Sequence, residues 1–260
     1  MTAGPAAGAL AATALAGRVA VVTGAARNIG RAIALELARG GAAVTVNALA
    51  SAAEAAAVAR EIEDLGGRAL VHLADVSSPA DAAALVEAAA QRFGRIDILV
   101  NNAAIRRETP FADLEWQEWR AVCGVILDGA YLCARAALPW LRRSDRAAIV
   151  NIGGMSAHSG SAGRAHVIAA KAGLAGLTRA LAHDLGPDGI TVNCVAPGLV
   201  DTPRGASAVG TPAHHDHTRT LVGRRGDPGE IAAMVAFLCG PGARYLTGQT
   251  LHVSGGAWLG

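Results

Sequence analysis

A chain of 260 residues with 52% hydrophobic side chains can bury a substantial core, and an α/β protein of this length folds as one domain. Its 23 basic and 21 acidic side chains leave a net charge of +2 with no long run of one sign, which argues against nucleic acid as a partner. Four cysteines, Cys123, Cys133, Cys194 and Cys239, form no Cys-x-x-Cys pair and lack the crowding of a small secreted scaffold, so they read as buried reduced thiols in a cytoplasmic protein.

Residues 1–16 are rich in Ala and Gly and carry neither the basic start nor the long apolar stretch of a targeting or spanning segment. They are expected to form a flexible extension to a domain over residues 17–260, with no membrane as partner. Arg18–Thr23 is a short β-branched run bounded by glycine, and Ile33, Ala34 and Leu37 then recur at helical spacing between Gly30 and Gly40. The segment reads as strand, turn and helix. Strands follow near Ala43–Asn47, Ala69–Leu73, Ile96–Val100, Ala148–Ile152, Thr191–Cys194 and Thr250–Val253, with helical stretches such as the alanine-rich Ser51–Ala59 between them. Because each parallel connection must cross over the sheet, this alternation predicts a single Rossmann-like, doubly wound parallel sheet with helices on both faces. A ligand then belongs beyond the carboxyl ends of the strands.

Asp201–Gly226 is the one long irregular insertion, punctuated by Pro203, Gly205, Gly210 and Pro212, and it is either a lid over a substrate or a surface loop. Within it, His214-His215-Asp216-His217 carries metal-ligating side chains, but adjacent ligands without a second cluster do not define a closed site, and no metal is expected.

The turn after the first strand, Thr23-Gly24-Ala25-Ala26-Arg27-Asn28-Ile29-Gly30, places glycines where the backbone can approach a pyrophosphate at a helix N-terminus. Asn28 stands where such turns usually have a middle glycine, and asparagine tolerates positive φ better than most residues. The second strand ends in Asn47-Ala48-Leu49, without the acid that holds both ribose hydroxyls in an NAD site. Arg27 can instead pair with a 2′-phosphate, with Asn47 and Ser51 donating to it, which favours NADP(H) over NAD(H).

Together with Asn101-Asn102-Ala103-Ala104, Lys171 and Val195-Ala196-Pro197-Gly198, this turn resembles the short-chain dehydrogenase/reductase family from about Gly17 onward. The resemblance implies that Gly24, Arg27, Asn28, Ile29 and Gly30 form the pyrophosphate turn, that Asn47 meets the ribose phosphate, and that Asp75 and Val76 border the adenine. It implies further that Asn101 supports the central strand, Ala103 packs near a ribose, Lys171 holds the nicotinamide ribose, and Pro197, Gly198 and Thr202 abut the nicotinamide. It also implies a homodimer or homotetramer, built through long helices around residues 115–143 and 160–186, acting on a small molecule.

Family members usually carry Asn, Ser, Tyr and Lys as a catalytic set, and the matching positions here are Ile126, Gly154, Val167 and Lys171. In the family, the tyrosine four residues before the lysine passes a proton as hydride moves, both lying on one helix face. Val167 has no titratable group, and Tyr131 and Tyr245, the only tyrosines, do not precede a lysine by four. His158 is the candidate substitute acid. His166 lies about 100° round the helix from position 167. The expectation is an atypical NADPH-dependent oxidoreductase for a conjugated enone, iminium or quinone-like acceptor, which needs little protonation during hydride transfer. A lyase or isomerase using His158, and a catalytically silent cofactor-binding subunit, remain open alternatives.

Overall fold

Seven short apolar runs become strands: β1 Val19–Val22, β2 Ala43–Ala48, β3 Ala69–Leu73, β4 Ile98–Asn101, β5 Ala148–Ile152, β6 Thr191–Pro197 and β7 Thr250–Val253. The computed structural model describes residues 14–202 and 220–260. All seven strands pair in parallel, in the order β3-β2-β1-β4-β5-β6-β7. The order reverses between β1 and β4, so the loops leaving these two strands diverge and open a crevice at their carboxyl ends.

Successive side chains of each strand serve opposite faces. Ala20, Val22, Ile98, Val100, Val150 and Ile152 pack under α1 (Asn28–Arg39), α2 (Ala52–Asp64) and α8 (Pro228–Cys239). Val21, Leu99, Ile149 and Val192 pack under α3 (Pro79–Phe93) and α5 (Gly129–Leu141). With both faces covered, the central strands are apolar throughout instead of alternating, which is why they were visible as β-branched runs. All four cysteines are buried and free, and burial pushes the Cys133 and Cys239 thiols up to about 12.

The strand expected from Ile96 begins two residues later, because Asp97 turns its fully buried carboxylate into a network at the amino end of the sheet. It accepts from Arg95 Nη2 at 2.6 Å, Ser144 Oγ at 2.6 Å, the Val19 N–H at 2.9 Å and Arg18 Nη1 at 3.2 Å. Burial pushes this carboxyl up, but the hydrogen bonds outweigh it and hold the group below the usual range. The network sits at the end of the sheet away from the crevice and ties β1 to β4.

Residues 1–13 of the expected extension lie outside the described residues; of its last three, Leu15 is fully buried and its N–H donates to the Gly40 carbonyl at 2.8 Å. Residues 203–219 of the insertion, including the His-His-Asp-His run, also lie outside them. Its flanks meet: the Asp201 N–H donates to the Gly226 carbonyl at 2.8 Å, and the Val222 N–H donates to the Gly255 carbonyl at 3.2 Å. By length and composition the helical run Trp116–Leu141 could cross a membrane, yet Val122, Ile126, Cys133, Ala137 and Leu141 are buried inside the fold.

Candidate active site

The chain leaves β1 through Gly24 at φ 60 and enters α1 through Asn28 at φ 54, the one positive-φ residue among those described that is not glycine. Asparagine therefore takes the left-handed conformation that the missing glycine would have supplied. Side chains are excluded on either side of it. A Cβ on Gly24 would lie 2.9 Å from Ala103 Cα, and one on Gly30 would lie 2.2 Å from the Gly24 carbonyl oxygen. With hydrogen at both positions the turn closes on its own backbone and on Ala103, at the start of a twelve-residue helix whose first N–H groups form a cradle that fits the pyrophosphate of a dinucleotide.

Two asparagines hold the cradle from below. Asn102 Nδ2 donates to the carbonyls of Thr23 and Gly24, each at 2.9 Å, and Thr23 Oγ1 accepts the N–H groups of Asn102 and Ala103 at 3.0 Å. Sequence reasoning names Asn101 and Ala103 but misses Asn102; its only signal is a two-donor side chain in a strand-end pair facing a glycine turn. Asn47 is the second support and a correction to the expected phosphate donor. It is 1% exposed, its Oδ1 accepts the Gly24 N–H at 3.2 Å, and its Nδ2 faces the His72 and Ala74 carbonyls at 3.2 Å. No donor is left for a phosphate, because the pairing of β2 with β3 surrounds the amide with acceptors.

Several other expected contacts are turned inward. The side chains of Ile29 and Val76 are buried in the two core faces, so only their backbones can meet a ligand. Asp75 Oδ1 accepts from Ser77 Oγ at 2.6 Å and from the Ser77 N–H at 2.9 Å. Asn101 Nδ2 donates to Asn151 Oδ1 at 2.8 Å, and Asn151 Nδ2 donates to Thr178 Oγ1 at 2.9 Å, which ties β4 through β5 to α7 (Ala165–Leu185). The Asn101 side chain is thereby buried between the two strands. The Pro197 carbonyl accepts the Met155 N–H at 2.9 Å and the Gly198 N–H donates to the Val253 carbonyl at 2.9 Å, so the Gly198 N–H is not free for a carboxamide. Thr202 is half-buried just beyond them. Arg27 is exposed at the mouth of the cradle and has no ion-pair partner among the described residues.

Lys171 lies on α7, buried, with Nζ donating to the Ile152 carbonyl at the end of β5. Burial, then repulsion from Arg106, lowers its pKa to about 7; Cys194 opposes the shift and Arg164 adds to it least. One helical turn earlier, Val167 is 3% exposed and packs in one apolar cluster with Val122, Ile126, Ala130, Ala170 and Leu174. Ile126 reaches it from the π-turn Gly124–Asp128 that joins α4 (Trp116–Cys123) to α5. Gly154 faces open space, with no atom within 4 Å of where a Cβ would stand.

His158 is exposed on the short helix α6 (Ser156–Ser159), and its ring meets the edge of His252 on β7 with centroids 4.6 Å apart, with Trp258 at 6.2 Å. The expected substitute acid is thus turned toward the C-terminal segment. His166 is fully buried, with Nε2 at 3.1 Å from Glu118 Oε1 on α4, as its rotation away from position 167 requires. Among the described residues, no group of three His, Cys, Asp or Glu side chains is placed to hold a metal.

A family model described as enoyl-(acyl carrier protein) reductase matches residues 24–257. The 3-oxoacyl-(acyl-carrier-protein) reductase FabG of Vibrio cholerae is 39% identical over 251 residues, covering 94% of this chain and 99% of that protein. Its counterpart in Pseudomonas aeruginosa is 41% identical over 245 residues, covering 94% and 99%. A crystal structure of a short-chain dehydrogenase from Burkholderia cenocepacia in complex with NADP matches with TM-score 0.87 and 40% identity, over 94% of this chain and 99% of that one. A blue fluorescent protein from a metagenomic library, in complex with NADPH, matches with TM-score 0.88 and 36% identity over 95% and 100%. With likeness of this order along nearly its whole length, in sequence and in fold, the chain belongs to the short-chain dehydrogenase/reductase family.

Proposed function

We propose that this chain is an NADP(H)-dependent oxidoreductase that reduces a conjugated enone, iminium or quinone-like small molecule. The observation that carries the reading is the apolar cluster beside Lys171: Ile126 and Val167 stand in it where the family resemblance puts the relay asparagine and the proton-donating tyrosine. With neither the relay asparagine nor the tyrosine at these positions, the site suits acceptors that delocalise the arriving electron pair or already carry positive charge.

The glycine cradle, with Asn28 at positive φ, fits a dinucleotide, and solved relatives hold NADP and NADPH. When bound, NADPH supplies a hydride to the electrophilic carbon of the acceptor. The residues of the chain do the rest: Asn28 and Gly30, at the start of α1, present backbone N–H groups to the pyrophosphate while Gly24 shapes the turn, Lys171 holds the nicotinamide ribose, and Arg27 takes the 2′-phosphate. Losing one charge-assisted contact of this kind costs about tenfold to a hundredfold in affinity, so Arg27→Ala should shrink the preference for NADPH over NADH by that factor. Titration by nicotinamide fluorescence measures it, and tighter binding of NADH by the parent protein overturns the assignment.

The description of the family model as an enoyl reductase supports reduction of a conjugated double bond. The names of the curated relatives favour a second reading, reduction of a 3-oxoacyl carbonyl, with a proton donor other than position 167. Cyclohex-2-enone incubated with NADPH should yield the saturated ketone, one cofactor oxidised per product formed. An isomerised or cleaved product with no cofactor consumed would point to a lyase or isomerase, and cofactor binding without turnover of any acceptor would point to a silent subunit. In this reading residues 17–260 act as one catalytic domain in the cytoplasm, as a homodimer or homotetramer; Trp116 and Tyr131, exposed on the α4–α5 run, support assembly there.

A further inference from the structure

The segment that leaves β4 runs from the cofactor cradle to α7 as a strap fastened at both ends. At its start, Asn102 Nδ2 donates to the carbonyls of Thr23 and Gly24 at 2.9 Å. At its far end, the Thr109 N–H donates to the Gly163 carbonyl, just before α7, at 2.8 Å, and Thr109 Oγ1 donates to Glu118 Oε1 on α4 at 2.6 Å. His166 Nε2, in the first turn of α7, meets the same carboxylate oxygen at 3.1 Å, and Arg107 Nη1 lies 3.7 Å from Glu118 Oε2. One carboxylate thus joins the strap, α4 and α7.

Each of these three elements sets an apolar side chain near its polar one. Ile105 precedes Thr109 by four residues on the strap, Val122 lies one helical turn beyond Glu118 on the same face of α4, and Val167 adjoins His166 on α7. Val122 and Val167 belong to the apolar cluster beside Lys171, and Ile105 packs against it. Apolar contact is non-directional, and a half-buried isoleucine on an irregular segment loses conformational freedom when it docks. Hydrogen bonds to an ionised carboxylate are directional and of the stronger kind, so the polar contacts decide where Ile105 is seated. The Thr109 hydroxyl, followed by His166 and Arg107, holds the Glu118 carboxyl below the usual carboxylate range against an opposing effect of burial.

We infer that Glu118 is a positioning residue, whose carboxylate fastens the strap to α7 and so seats Ile105 against Val167 as part of one apolar wall on the nicotinamide side of the site. The inference rests on the reading that Lys171, one helical turn beyond Val167, holds the nicotinamide ribose. Asn47 and Asn102 hold the cradle independently of Glu118. Releasing the strap at its far end should therefore weaken the grip on the nicotinamide and spare the rest of the cofactor.

The test compares NADPH with 2′-phospho-ADP-ribose, which lacks only the nicotinamide, by calorimetric titration, and follows amide hydrogen exchange over residues 103–109. The parent protein should bind NADPH more tightly than the truncated ligand. Glu118→Ala removes the acceptor that Thr109 and His166 share, so exchange over the strap should quicken about tenfold or more, and the affinity ratio should fall about fivefold or more with the truncated ligand bound as before. Glu118→Gln keeps an oxygen that accepts from both and should retain most of the ratio. Thr109→Val deletes one donor from a half-buried loop residue and carries the test should Glu118→Ala fail to fold. An affinity ratio unchanged in these variants, or equal weakening of both ligands, overturns the inference, as does a parent protein that binds the two ligands alike. A lowered ratio, where the parent oxidises NADPH with no conjugated acceptor, sustains the inference and overturns the proposed acceptor class. An unchanged ratio, with cyclohex-2-enone reduced by the parent, does the reverse.

Discussion

Simple ketones should be reduced by the unaltered protein with NADPH roughly two to four orders of magnitude more slowly than a conjugated acceptor of similar size, the usual cost of losing positioned general acid catalysis. The expectation comes from the environment of Lys171, whose neighbours Ile126 and Val167 belong to one apolar cluster and cannot donate a proton. Cofactor binding and carbonyl chemistry should therefore separate. The structure also grades the three reversions. Gly154→Ser adds its side chain to open space and should fold without cost. Val167→Tyr enlarges a side chain that is 3% exposed, and Ile126→Asn places an amide where 2% exposure leaves it little water. The combined variant should gain measurable ketone reduction but lose stability, read as NADPH consumption matched to alcohol formation and as a lowered melting temperature. Efficient reduction of ordinary ketones by the parent protein would mean that another residue replaces the tyrosine and that the proposed acceptor class is wrong.

Gly30→Ala should all but abolish cofactor binding. The new Cβ would stand 2.2 Å from the Gly24 carbonyl oxygen and 2.5 Å from Asn102 Nδ2. The first contact is with backbone, so relief requires the turn itself to move, and with it the N–H groups that face a pyrophosphate. Overpacking of this kind costs about 1–3 kcal/mol of stability, and a displaced turn should lower NADPH affinity by a hundredfold or so. Two controls separate conformation from crowding. Asn28→Gly relieves a side chain held at φ 54 and should bind NADPH at least as well as the parent. Gly176→Ala, inside α7 with no atom within 4 Å of the new methyl, should be neutral or stabilising by about 0.5–1 kcal/mol. Fluorescence titration and thermal unfolding of the three variants test the set, and near-parent NADPH affinity in Gly30→Ala would show that the turn does not hold the cofactor.

The fold was legible in the amino-acid sequence because parallel strands buried on both faces must be short apolar runs, and the helices crossing between them must show apolar residues at helical spacing. β3, β5 and β7 begin and end where those runs do. The cofactor turn was legible for a similar reason: Gly24, Asn28 and Gly30 answer demands of the local backbone, which a side-chain type announces wherever the rest of the chain lies. Polar side chains announce no direction. Asn47 has the same donors whether it meets a phosphate or the His72 and Ala74 carbonyls, and only the pairing of β2 with β3 sends them inward. His158 has the same imidazole whether it faces a substrate or His252, and the course of α6 past β7 decides between them. Ile126 and Val167 can be recognised singly as apolar, but that they close one cluster beside Lys171 follows from the packing of the π-turn against α7. That the Thr109 N–H donates to the Gly163 carbonyl is a contact between distant loops that no local pattern encodes, because loop ends are brought together by the sheet that carries them and not by the residues they contain.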